Sequence, residues 1–131
     1  MTMRRDRFET LVQQALRSIP AEFRSRIHNL AIIVEDEPDP QLLRDMDVPD
    51  SETLFGLYHG IPLTERTWDY GNRLPDRITL YQGPHEREYD EDQLITAIGE
   101  TLIHEIGHYF GMSEDEIEEI EEKYWRDQIG E

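Results

Sequence analysis

Apolar positions along the chain recur with two different periods, and the places where the period changes mark out its elements. Phe8, Leu11, Val12, Ala15, Leu16 and Ile19 fall at helical spacing, which predicts an amphipathic helix over residues 5 to 18 that stops before Pro20. The run AEFRSRIHN allows another short turn of helix. Residues 30 to 36, LAIIVED, are apolar and β-branched without alternation, the pattern of a buried strand, and EPDP closes it. PQLLRDM reads as a helical turn and DVPDSE as loop. Residues 53 to 63, TLFGLYHGIPL, have strand composition broken by Gly56 and Gly60, which predicts an edge or bulged strand. TERTWDYGNRLPD is a turn-rich connection, and residues 77 to 83, RITLYQG, form the next strand.

From Asp90 the pattern turns helical and stays so. Asp90 and Gln93 have the spacing of a capping box. Ile95, Ile98, Leu102, Ile106 and Phe110 then make one apolar stripe, and Gly111 supplies a C-terminal stop. Ser113 and Glu116 repeat the capping signal and open an acidic last helix carrying Ile117, Ile120 and Tyr124. No repeat or linker interrupts the chain, and 131 residues suffice to bury a core. The expected class is α+β: one domain over residues 1 to 131, a small sheet with helices, ending in two consecutive helices.

Composition changes this picture mainly through charge. Thirty acidic residues against thirteen basic ones give a formal charge of -17, which disfavours nucleic acid and anionic membrane as partners. Most of these acids, including the run SEDEIEEIEE, read as solvated surface. The chain has no cysteine, so disulfides, thiolate metal ligands and a cysteine nucleophile are excluded. The opening MTMRRDRFET has basic residues but no apolar segment behind them, and no apolar run reaches bilayer length. A cytoplasmic protein is expected, with nothing that demands an oligomer.

Candidate chemistry is concentrated at residues 104 to 114. His104, Glu105 and His108 form H-E-x-x-H. Histidines four apart share one helical face, so two imidazoles reach one Zn²⁺, while Glu105 lies about 100° round the helix as a general base for an activated water. A third ligand is still required, and Gly111 lets the chain turn back so that Glu114 can supply it. The bare motif arises by chance in roughly 2–3% of shuffles of this composition, and the added Gly and carboxylate lower that to roughly one in a few thousand. The histidines also lie opposite the apolar stripe, beside Ala97 and Thr101, where a cleft rather than the core is expected. The same residues suit a non-catalytic module in which zinc fastens the last two helices and the acidic surface docks a basic partner, or a zinc hydrolase of non-peptide substrates.

TLIHEIGHYFGMSEDEIEEI resembles the minimal zincin-like metallopeptidases, small bacterial proteins with an H-E-x-x-H-x-x-G-x-x-D signature near the C-terminus. LFGLYHGIPLTERT and LPDRITLYQGP are similar to that family's glycine-containing strand and the strand before its active helix, and RFETLVQQALRSIPAEF to its opening. The resemblance implies a reduced zincin-like fold, with a small mixed sheet backed by helices and the active helix lining a cleft. It implies Zn²⁺ on His104 and His108, Glu105 as the base, and a peptide or protein as substrate. The family's aspartate position holds Glu114 here, one methylene longer, with Asp115 and Glu118 as neighbouring alternatives. Unlike the larger metzincins, the last methionine, Met112, precedes Glu114, and seventeen residues follow that position, so a shallow cleft is expected. Of the other candidates, His59 or Tyr58 on the edge strand faces either substrate or solvent. Tyr109 either packs or donates to an oxyanion. His28 and His85 fall in turn-like contexts and have no partners at metal spacing.

Overall fold

A computed structural model describes residues 3–25, 30–49, 53–60 and 76–128. The first helix, α1 (Arg5–Ser18), buries Phe8, Leu11, Val12 and Ala15 on one face, as their spacing predicts. A single turn, α2 (Ala21–Arg24), follows Pro20 and places Phe23 against Phe110. The strand β1 (Leu30–Glu35) leads to α3 (Pro40–Asp45), whose N-cap Asp39 accepts the Gln41 backbone N–H at 2.8 Å. The remaining elements are β2 (Gly56–His59), β3 (Asp76–Tyr81), α4 (Gln82–Glu88), α5 (Glu91–Tyr109) and α6 (Glu114–Gln128). Residues 61 to 63, the connection up to residue 75 and His28 lie outside the described residues.

The three described strands form one sheet in the order β1-β3-β2, with β1 parallel and β2 antiparallel to β3. The class is α+β, as expected. The edge position expected for β2 holds. The buried strand expected at residues 30 to 36 does not: among the described strands β1 is the other edge, with Leu30, Ile32 and Val34 half-buried and Ala31, Ile33 and Glu35 exposed. A continuous apolar run is ambiguous between a strand covered on two faces and one covered on a single face. The central place belongs to β3, where Ile78, Thr79, Leu80 and Tyr81 are all buried.

The strand expected to reach residue 83 ends at Tyr81, because Gln82 already opens α4. Pro84 disguises this helix in the sequence. It stands in the first turn, where a backbone N–H has no intrahelical partner to lose. The consequence is that His85, expected in a turn, is fully buried.

Helix α5 is the axis of the molecule, contacting α1, α4, α6, β2 and β3. Ile98, Leu102 and Ile106 of the predicted stripe are fully buried, while Ile95 and Phe110 are only partly so. Leu94, Ile103 and Tyr109 are buried as well, because the helix is covered on more than one side. Tyr109 has no exposed surface and its ring packs against those of Tyr58 and Phe110.

Candidate metal centre

Both ends of the α5–α6 turn are written in local backbone bonds. Gly111 takes φ 75°, its N–H reaches the His108 carbonyl at 2.9 Å, and the Met112 N–H reaches the Gly107 carbonyl at 3.0 Å. This is the paired closure of a glycine-terminated helix, and the left-handed φ is one that only glycine adopts without strain. Ser113 then caps α6: its hydroxyl accepts the Glu116 N–H at 3.2 Å, and the Glu116 carboxylate accepts the Ser113 N–H at 3.0 Å. The turn therefore sets Glu114 as the first residue of α6, facing back across α5.

His104 and His108 stand one turn apart on α5, with ring centroids 4.9 Å apart and planes at 75°. Both side chains are partly open, at 38% and 37% exposure. Glu105 beside them is only 8% exposed, and its Oε1 accepts the backbone N–H of Tyr58 on β2 at 3.0 Å. One ligand atom from each of His104, Glu105 and His108 can be chosen so that all lie within 4.8 Å of one another. From the other side, Glu114 sets Oε1 3.6 Å from His108 Nε2 and Oε2 4.0 Å from His104 Nε2. It is Glu114, rather than Asp115 or Glu118, that approaches both imidazoles.

Sequence reasoning missed two members of this arrangement. One is Glu121, whose Oε1 lies 2.8 Å from His104 Nδ1. A signal for it exists in retrospect: Ile117 and Tyr124 are buried on α6, and Glu114 and Glu121 share their face three residues before each. The other is the Tyr58 N–H, a main-chain group invisible to residue-type reasoning. The Tyr58 side chain, a candidate for substrate contact, instead donates its hydroxyl to Asp76 at 2.6 Å. His59 is half-buried on β2, where burial first and then Arg77 lower its pKa against the opposing effect of Glu35.

Carboxylates dominate the charge around the two imidazoles. Burial acts to lower the His104 pKa, but the Glu121 hydrogen bond and the charges of Glu105, Glu121 and Glu114 together raise it above the ordinary imidazole value. Glu105 is also raised, by burial foremost and by Glu114, against the pull of both histidines and the Tyr58 N–H. Two imidazoles and a carboxylate facing an open side match the donor set of a catalytic zinc, which keeps one position for water. The carboxylate on His104 Nδ1 fixes the proton there and leaves Nε2 facing Glu114. The residues present fit the ion.

A cavity of about 340 Å³ adjoins this centre, reaching from His104 and Glu105 along α5 to Thr101, Glu100 and Ala97. Its floor is braced by His85. The Tyr81 carbonyl, 2.8 Å from His85 Nδ1, can only accept, so that nitrogen carries the proton and Nε2 faces the Thr101 hydroxyl at 3.0 Å.

Residues 27–124 match the model of the zincin-like metallopeptidase family. In fold the chain is similar to the solved structure of a conserved hypothetical protein from Thermo thermophilus, with a TM-score of 0.53 and 20% identity, over 81% of this chain and 92% of that one. No curated protein matches the chain.

Proposed function

The chain belongs to the zincin-like metallopeptidase family, and from that premise we propose that it is a zinc-dependent peptidase that cleaves a peptide bond with a metal-activated water. The observation that carries this reading is the division of labour among the carboxylates. Glu105 is buried and held by a main-chain N–H, while Glu114 faces both imidazoles from the opposite helix. His104, His108 and Glu114 would hold Zn²⁺, and Glu105 would serve as the base. When bound, the ion supplies Lewis acidity, polarising the scissile carbonyl and making water a nucleophile at neutral pH.

The protein groups perform the proton handling. Glu105, with Oε1 fixed by Tyr58, takes the proton of the attacking water and passes it to the leaving amine. Its raised pKa brings it nearer the working pH than an ordinary carboxylate, which favours a group that must both accept and release a proton. Glu121 holds the His104 ring, so that its Nε2 points into the site. The substrate is a peptide or protein segment. A chain without cysteine suits the reducing cytoplasm, where we place the activity.

Glu105→Gln tests the assignment. The variant is expected to bind zinc as the wild type does in a calorimetric titration, and to lose at least about 100-fold in peptide cleavage, the scale of a lost general base. Full activity in Glu105→Gln would sink the mechanism. If zinc binds tightly, raises thermal stability and supports no cleavage by the wild type, the centre is instead a clasp between α5 and α6.

A further inference from the structure

The cavity next to His104 has walls of a distinct character. Leu54, Phe55 and Tyr89 form an apolar and aromatic side, Ala97 and Thr101 a small-residue floor, and Glu100 stands on the same face of α5 one turn before His104. The aromatic side is built rather than loose. The Phe55 ring meets the buried His85 ring at 5.1 Å in an edge-on geometry and the Tyr89 ring at 6.0 Å. His85 in turn is bonded to Tyr81 and Thr101.

Glu100 differs from the other acids around the centre. Glu121 is committed to His104, and Glu105 to the Tyr58 N–H. Glu100 is half-buried and feels the negative charge of Glu121, with His104, already held by Glu121, as its opposing influence. Among the described residues, the cavity walls contain no lysine or arginine to neutralise it. A half-buried carboxylate at the side of an apolar slot is a place where a cation with an apolar stem binds well. The methylenes of lysine or arginine cover apolar and aromatic surface while the head meets the charge, and aromatic faces add to the attraction. An acidic side chain would meet Glu100, Glu105 and Glu121 and be repelled.

Resting on the peptidase reading above, we infer that this cavity receives the side chain flanking the scissile bond on the His104 side. It selects lysine or arginine there, with Glu100 as the residue that determines the specificity. Glu100 takes no part in holding the ion or moving protons. Its removal should therefore change which peptides are used, and leave intact the chemistry on those that carry no charge at this position.

Two measurements test this on the full-length zinc-loaded protein. The wild type is incubated with a randomised peptide library and its cleavage sites are read by mass spectrometry. In parallel, Glu105→Gln is titrated by calorimetry with short peptides that are identical except for Lys, Leu or Glu at one position. Basic residues should be enriched at one position flanking the cut, and the Lys peptide should bind tighter than the Leu peptide by about tenfold, the scale of one charge-assisted hydrogen bond. Adding Glu100→Gln should erase that difference while the Leu peptide binds as before, and Glu100→Lys should shift the preference toward Glu. The inference is overturned if no peptide binds, if binding ignores charge, or if the preference survives Glu100→Gln. Charge-selective binding without cleavage by the wild type would remove the peptidase reading and leave the cavity's selectivity standing. Cleavage without charge preference would do the reverse.

Discussion

Burial acts on His85 and His104 in the same direction, yet the two end with opposite charge preferences. His85 is buried among rings and backbone, and desolvation lowers its pKa against a weaker opposing effect of the Tyr81 carbonyl. His104 meets the same penalty, but three carboxylates outweigh it. For His85 the unfolded chain therefore holds the extra proton below the ordinary value of 6.5, and stability falls as pH drops through that value toward the lower folded one. Above that window both states are neutral and the contribution is constant. His85→Gln removes the titrating group, so the stability advantage of the wild type over this variant, from urea midpoints, should be largest above about pH 7 and shrink on acidification. An advantage that grows on acidification would contradict the assignment. For His104 the informative neighbour is Glu121. Glu121→Ala should weaken zinc binding about 10–100-fold, as loss of a carboxylate that orients a ligating imidazole does, while Glu121→Gln, which keeps an acceptor oxygen, should recover much of it. At this scale the sequence was legible where spacing alone decides proximity, as for His104, Glu105 and His108. It was silent where a partner comes from another element, as with Glu121 on α6 or the Tyr58 N–H.

Elements were legible where their ends carry chemistry. Asp90 with Gln93, Gly111, and Ser113 with Glu116 bounded α5 and α6 correctly, because caps are local interactions between neighbours in the chain. The short α4 was not found, since Gln82 and Gly83 were assigned to the strand before it and seven residues are too few to show a period. The status of β1 as an edge depends on which strand β3 chooses as neighbour, which local pattern does not encode. The contact between α5 and α6 belongs to the same category. A Cβ at Gly107 would lie 2.5 Å from Cγ1 of Ile117, and one at Gly99 would lie 2.0 Å from the Tyr124 hydroxyl. Both glycines let α6 lie close enough for Glu114 and Glu121 to reach the histidines. Gly107→Ala should push the start of α6 outward, costing about 1–3 kcal/mol as core overpacking does. Zinc affinity should fall even though every ligand is retained. A calorimetric titration showing unchanged affinity would mean that the spacing of the two helices does not control the site.

For the whole molecule the dominant quantity is its charge of -17, part of which converges on one small region. Glu105, Glu114 and Glu121 all stand near His104, so the proposed divalent cation would relieve repulsion there as well as form bonds. At free zinc about one hundred times Kd the folded state should gain about 2.7 kcal/mol, which for a chain of this size raises Tm by on the order of 10 °C. Thermal unfolding with and without zinc measures this, and His104→Ala together with His108→Ala should abolish the shift. The bond between Tyr58 and Glu105 also bears on how such a molecule can change over generations. Its donor is main chain, so at position 58 any residue but proline still offers it. An exchange of the side chain at position 58 thus costs its own contacts with Asp76 and Tyr109 but not the donor that holds Glu105. On the proposed peptidase reading, variation in what is recognised at this position is decoupled from the hold on the residue proposed as base.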